Sequence, residues 1–256
     1  MLVNFEIVDK KISEVEFFLA KMIEAGSNWE HFQFYLSAYL SASRTTTLAI
    51  QRYVDIPGFD NRYKKHRDVL KKDPIAKFML DARNAHVHGD MYPISGAKFY
   101  QGNSEYDFLT NGKFIPSADI VSLCRIHFIN LLKIIYDGYT QLGIYIDPQQ
   151  YYTKEHFANL GKAIDDAEIE VRGWIMESYI AEGYNEDERW FELRSYVGKC
   201  SINHLFYGYL NKVTPQPILP DYLGELIYSY EELGWLHIPV GFSSLEDYRE
   251  AISKFS

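Results

Sequence analysis

Long segments of this 256-residue chain place apolar side chains three and four residues apart, and this periodicity constrains the fold more than any other feature. In residues 8–25, Ile12, Val15, Leu19 and Met22 follow this spacing and form one stripe along a helix. Helices are also predicted for residues 29–54, 59–71, 117–142, 154–182 and 186–211. The pattern predicts an all-α protein.

Short polar segments mark the ends of the predicted helices. Asp73 and Pro74 have the residue types preferred at the cap and first position of a helix, which we expect to continue to Gly89. Asn111-Gly112 lies between two apolar-rich runs within residues 98–115, and this dipeptide is the strongest short signal for a β-hairpin. Ser244 is suited to cap a last short helix.

These elements predict two parts. Residues 1–146 form a bundle of four or five helices with a small β-hairpin insertion, and residues 147–256 form a helical C-terminal extension of unknown role. No apolar run approaches about 18 residues and the N-terminus lacks signal-peptide features, so we expect a cytoplasmic protein that does not enter a membrane. Cys124 and Cys200 lack metal-ligand spacing, which excludes a structural zinc site built from thiolates.

Charge is distributed unevenly. The net charge is −9, but residues 62–77, RYKKHRDVLKKDPIAK, contain seven cations and two aspartates, a local charge of +5. This stretch forms either a solvated helix face or a local funnel for anions such as RNA. The carboxylate run from Asp165 to Glu170 is interpreted as a solvated helix face.

The segment DARNAHVHGD, residues 81–90, concentrates the chemistry of the chain. At about 100° per residue, Arg83, Asn84 and His88 fall within an arc of about 140° on a helix. Arginine is suited to bind phosphate, histidine can transfer a proton near neutral pH, and an amide can orient either. RNA supplies its own nucleophile, the 2′-hydroxyl, so these groups could support cleavage without a metal.

Two alternatives use the same segment differently. HVHGD is similar to the start of the His-x-His-x-Asp-His motif of metallo-β-lactamase-like hydrolases, but on a helix His86 and His88 point about 160° apart. We therefore predict neither a metal nor another cofactor. Alternatively, Arg83 pairs with Asp81 or Asp90 and has a structural role. His127, in an apolar helix, is interpreted as a core histidine rather than a catalyst.

The RNAHVH segment resembles the motif of the HEPN superfamily (higher eukaryotes and prokaryotes nucleotide-binding domain), an arginine followed after four to six residues by a histidine. FQFYLSAYLSASRTTT, residues 32–47, is also similar to the second helix of bacterial members. The resemblance covers roughly residues 8–146. It implies a HEPN-like helical bundle and a metal-independent endoribonuclease that acts on single-stranded RNA as a homodimer.

The resemblance also implies roles for residues. His88 would be the general base or acid and Arg83 the phosphate-binding cation, with Asn84 in support; His86 has no assigned family role. As further substrate contacts we predict Arg44, Lys64, Lys65 and His86. The resemblance implies a toxin or phage-defence effector, with an antitoxin or a nucleotidyltransferase as partner. Many members are non-catalytic, so a module that binds a nucleotide or a protein partner is the alternative.

Overall fold

The computed structural model describes residues 2–53, 56–89, 93–100, 103–109, 118–176, 185–216, 236 and 238–254. These residues are mostly helical, which confirms the all-α prediction at the level of fold class. No helix among them is both long enough and apolar enough to cross a membrane.

The order of elements begins with four helices and a hairpin. They are α1 (Glu6–Ala25), α2 (Trp29–Ile50), a 3₁₀ turn (Gln51–Tyr53), α3 (Phe59–Lys72), α4 (Pro74–Gly89), β1 (Ile94–Tyr100) and β2 (Asn103–Phe108). The remaining described elements are α5 (Ile120–Ile146), α6 (Pro148–Tyr151), α7 (Lys154–Asn159), α8 (Ile164–Arg172), α9 (Glu186–Tyr196), α10 (Asn203–Leu205), a π-helical turn (Phe206–Leu210) and α11 (Leu245–Ser253).

The chain divides into two compact units. The N-terminal unit comprises Glu6–Ile135, and the C-terminal unit comprises Tyr136–Phe255 together with Met1–Phe5. The N-terminal segment belongs to the C-terminal unit because the Val3 amide donates to the Tyr145 carbonyl at 2.6 Å. The division falls inside α5, between Ile135 and Tyr136. The sequence prediction places the boundary later, at residue 146.

The core of the N-terminal unit follows the apolar stripes. The stripe of α1 is buried throughout, and α2 contributes Phe32, Leu36 and Tyr39, each 0% exposed. Asn28 caps α2 by accepting a hydrogen bond from the His31 amide at 3.1 Å. Side chains from the first half of α5, such as Phe128, complete the described core of this unit. Helical periodicity therefore located the buried positions of α1 correctly.

The β-hairpin exists, but its turn is not at Asn111-Gly112. β1 and β2 pair antiparallel with Tyr100 opposite Asn103, so residues 103–108, upstream of that dipeptide, already form the second strand. Asn111 and Gly112 lie outside the described residues. The hairpin is fixed to the helices by Tyr106, whose ring stacks on Phe32 with centroids 3.7 Å apart. This stacking holds the described hairpin against α2.

Helix breaks in the C-terminal unit correct two predictions. The helix predicted for residues 154–182 is interrupted, because Gly161 (φ +68°) separates α7 from α8 and Gly173 (φ +79°) ends α8. The helix predicted for residues 186–211 ends at Tyr196, after which Val197 is extended. A residue without Cβ adopts such positive φ angles at low cost, so Gly161 and Gly173 define the ends of α7 and α8.

The carboxylate run of α8 is not a solvated face throughout. Glu168 is 0% exposed and pairs with Arg189 of α9, with Arg189 Nη2 2.7 Å from Glu168 Oε2. The same nitrogen lies 2.6 Å from Asp165 Oδ1, and the Met176 amide donates to Glu168 at 2.8 Å. Beside this network lies an apolar cluster of Tyr151, Phe157, Ile164, Ala167, Trp190 and Leu193.

Candidate functional site

Helix α4 carries the RNAHVH segment, and its start is fixed by Asp73. The Asp73 carboxylate accepts one hydrogen bond from the Ile75 amide at 2.8 Å and another from the Asn130 side chain of α5 at 3.1 Å. Met79 and Ala82 are buried on the inner face of the helix. The predicted cap of this helix is confirmed, and the described part of the helix continues to Gly89.

The structure brings together only part of the predicted motif. Arg83 is half-buried, and its Nη1 donates to Asn84 Oδ1 at 3.2 Å. Asn84 and His88 are exposed. Within the described residues, no hydrogen bond joins His88 to Arg83 or to Asn84. His86 lies on the other side of Arg83, with its Nε2 2.7 Å from Ser37 Oγ of α2.

A groove of about 630 Å³ lies in the N-terminal unit, between α2, α3, α4 and α5. We call it the basic groove, because five cations line it: Arg44, Arg67, Lys71, Lys77 and Arg83. The other polar residues of its lining are Ser43, Thr47, Gln51, Tyr63 and His127, and the apolar ones are Leu40, Leu70, Ala76, Met79, Leu80 and Leu131. No carboxylate is among these lining residues, so the groove favours an anion.

Most of these cations lack an acidic partner among the described residues. Only Arg67 has a carboxylate within 4.0 Å, that of Asp68 at 3.8 Å, and this pair is largely exposed. Arg44 donates to the Thr47 hydroxyl at 3.3 Å rather than to an acid. The Nε of Arg83 is buried and has no hydrogen-bond partner in the described part of the chain. A phosphate could satisfy such donors.

Only one of the four predicted substrate contacts lines the basic groove. Arg44 lines the basic groove, but Lys64, Lys65 and His86 do not. Lys64 pairs with Asp60 at 2.6 Å along α3, and Lys65 is exposed elsewhere on that helix. The +5 stretch instead contributes Arg67, Lys71 and Lys77, which were not singled out individually. Arg67 and Lys71 are one turn apart on α3, but only the packing of α3 against α4 brings Lys77 to the same groove.

His127 was interpreted as a core residue, and it is both buried and part of the groove lining. It is 6% exposed, and its Nδ1 lies 3.3 Å from the Tyr39 hydroxyl. Burial lowers the pKa of His127 to about 4, against a smaller opposing effect of the Asp73 charge. The ring is therefore neutral at pH 7. In the sequence, the signal for this groove residue is that His127 is a polar side chain within the apolar stripe of α5.

Metal ligands do not converge in the described residues. Among them, no group of three or more His, Cys, Asp or Glu side chains is placed to hold an ion. His86 and His88 both lie within α4, where the helix directs them apart, and Asp90 lies outside the described residues. The groove and the exposed end of α4 thus carry the chemistry available for a function.

Comparison with known proteins gives one family. Residues 4–111 match the family described as bacteriophage lambda protein ea47. The match includes α1–α4 and the hairpin, and hence Arg44, Arg83 and His88, but it stops before α5 and His127. No curated protein and no solved structure matches the chain.

Proposed function

We propose that the N-terminal unit is a metal-independent endoribonuclease of the HEPN type that acts on single-stranded RNA. The observation that carries the proposal is the position of Arg83, the arginine of the motif, among four other cations in a groove whose described lining contains no carboxylate. RNA is a chain of phosphates, and such a groove can bind it without a metal ion. The exposed His88 lies on the same helix, five residues later.

The proposed reaction needs one proton acceptor and one stabilising cation. The 2′-oxygen attacks the adjacent phosphorus as His88 removes the 2′-hydroxyl proton, and the bond from phosphorus to the 5′-oxygen breaks. A proton then reaches the departing 5′-oxygen, which leaves a 2′,3′-cyclic phosphate and a 5′-hydroxyl. Arg83 stabilises the charge that develops on the phosphoryl oxygens, and Asn84 orients its guanidinium through the 3.2 Å hydrogen bond.

Cleavage in the presence of EDTA tests this proposal. We expect the full chain to cleave single-stranded RNA in EDTA, and we expect His88→Ala to lower the rate by about 10²-fold or more. His31→Ala is the matched control, because His31 is also an exposed histidine of the N-terminal unit but lies near the start of α2. Loss of cleavage on chelation, or full activity in His88→Ala, would contradict the assignment.

The proposal includes a homodimer, because general acid and general base are two tasks and α4 offers one exposed histidine. A second copy would supply the partner group. We expect light scattering to give twice the chain mass of 29.9 kDa, and specific activity to fall on dilution below the dimer dissociation constant. A monomer with undiminished activity would remove the dimer from the mechanism.

A second candidate is a non-catalytic module that binds a nucleotide. It is favoured by the apolar part of the groove lining, which could contact a base, and by the position of Asn84 and His88 outside that lining. Titration calorimetry with mononucleotides, together with absence of cleavage, would support it. In either case we propose a role as a toxin or phage-defence effector, controlled by an antitoxin or a nucleotidyltransferase partner.

A further inference from the structure

The basic groove contains one histidine beside its cations, His127, and its imidazole is neutral. It comes from α5, whereas the five cations come from α2, α3 and α4. The arginine and lysine side chains can only donate hydrogen bonds. A ligand that presents a hydroxyl as well as a phosphate therefore needs an acceptor that these cations cannot provide, and an imidazole nitrogen is one.

The hydrogen bonds of Tyr39 determine which nitrogen of His127 carries the proton. The Tyr39 hydroxyl lies 2.6 Å from the Cys124 carbonyl oxygen, which can only accept, and 3.3 Å from His127 Nδ1. The single hydroxyl hydrogen is donated across the shorter distance, to Cys124. The Tyr39 oxygen is then an acceptor toward the ring, so His127 carries its proton on Nδ1 and a lone pair on Nε2.

The surroundings keep this arrangement in one state near neutral pH. Burial raises the pKa of the Tyr39 hydroxyl well above its ordinary value, so this group stays protonated. Burial also keeps His127 neutral, as described above. Nδ1 is engaged by the Tyr39 hydroxyl, 3.3 Å away. Because the residue lines the groove, Nε2 is the nitrogen left for a ligand.

We propose that His127 Nε2 accepts a hydrogen bond from the 2′-hydroxyl of the ligand, so that the basic groove selects ribonucleotide over deoxyribonucleotide phosphates. This inference rests on the proposed RNA-binding function and adds a specificity-determining residue to it. The phosphate contacts are common to both polymers and give affinity without discrimination. An acceptor that the bound ligand covers does discriminate, because a ligand without the hydroxyl leaves it desolvated and unsatisfied.

The test compares two oligonucleotides that differ only in the 2′-hydroxyl. Full-length protein carrying His88→Ala, which prevents cleavage, is titrated with fluorescein-labelled octauridylate and its octadeoxyuridylate counterpart in EDTA at constant salt. We expect the ribo-oligomer to bind about tenfold more tightly. Adding His127→Phe, which keeps an aromatic ring but removes the acceptor, should bring the ratio close to one, mainly by weakening the ribo-oligomer.

Two further variants separate this role from general effects. Lys77→Ala removes a groove cation and should weaken both oligomers without changing their ratio. Tyr39→Phe removes the hydroxyl that fixes the Nδ1 proton, and the ratio should fall while deoxy-oligomer affinity is retained. If His127→Phe does not fold, the ratio of ribo-oligomer to deoxy-oligomer affinity in Tyr39→Phe tests the inference instead.

Equal binding of both oligomers, or an unchanged ratio in the decisive variant, overturns the inference. Failure of the proposed ribonuclease has a different signature. In that case RNA is bound in preference to DNA by the His88→Ala protein, but the protein with His88 intact does not cleave it. Failure to bind either oligomer overturns both the inference and the proposed function.

Discussion

At the scale of single residues, Arg83 and His127 line the same groove but bring different groups to it, a guanidinium and an imidazole. The Nε of Arg83 is buried without a hydrogen-bond partner in the described residues, and His127 is a base that burial keeps neutral. Both are titratable residues of one cavity, which is typical of functional sites.

The state of His127 predicts a pH dependence of stability. Its pKa is about 4 in the folded protein and 6.5 in the reference state, so between these values the unfolded chain binds a proton that the folded chain does not. The contribution is fully present above pH 6.5 and is lost as the pH falls toward 4. Between pH 7 and 4.5 we expect His127 to lower the free energy of unfolding by about 2–3 kcal/mol.

Urea denaturation at the two pH values measures this difference. His127→Phe should lose less stability on acidification than the parent protein, by about that amount, because other groups titrate alike in both. Tyr39 and Cys124, which lie beside the ring, do not titrate in this window, since burial raises the pKa of each well above its ordinary value. The same pH dependence in both proteins would show that His127 is not buried as described.

Sequence reasoning identified some residues of the groove and missed others for a physical reason. Arg83 and Arg44 stood out because a polar pattern or small neighbours surround them in sequence. Lys71 and Lys77 belong to different helices, α3 and α4, and only the packing of those helices brings them to one groove. His127 matched a core pattern because it is buried, and burial alone does not reveal that one edge of a ring meets a cavity.

At the scale of elements, helix ends were the most predictable features where a side chain or a glycine defines them. Asp73 and Asn28 cap their helices as residue type suggests. Gly161 and Gly173 also carried a signal, but strong apolar periodicity on both sides obscured it. The position of the hairpin was not predictable in this way, because the stacking of Tyr106 on a distant helix holds it there.

The pairing of α8 with α9 predicts a large effect from one buried ion pair. Arg189→Met leaves the Glu168 carboxylate, 0% exposed, without its cation, and we expect a loss of about 3 kcal/mol or more in unfolding free energy. The double variant Arg189→Met/Glu168→Leu should recover much of this loss, because it removes the buried charge as well.

Chemical denaturation of the variants measures these losses. Lys154→Ala is the matched control, since its ion pair with Asp187 at 3.0 Å is exposed and should contribute less than about 1 kcal/mol. An Arg189→Met variant no less stable than the Lys154→Ala control would contradict the importance of the buried pair.

At the scale of the whole molecule, an acidic chain places five of its 26 Lys and Arg residues around one groove. The net charge of −9 disfavours general attraction to nucleic acid, so binding should depend on the groove. If three to five groove cations contact phosphates, the logarithm of the RNA association constant should fall with the logarithm of salt concentration with a slope of about −2 to −3.5.

Fluorescence anisotropy at several salt concentrations measures this slope. Lys71→Ala, in the groove, should reduce its magnitude by about 0.7, whereas Lys72→Ala, the adjacent exposed lysine outside the groove lining, should leave it nearly unchanged. Equal effects of the two variants would place RNA on the general surface of α3 instead.

The five cations of the groove, with no carboxylate in its described lining, have a consequence for folding as well as for binding. Five like charges brought into one groove repel each other, and this repulsion opposes the association of α2, α3 and α4. A polyanion bound in the groove would relieve this repulsion, and if it binds only the folded chain, as the proposed function requires, it would stabilise the N-terminal unit.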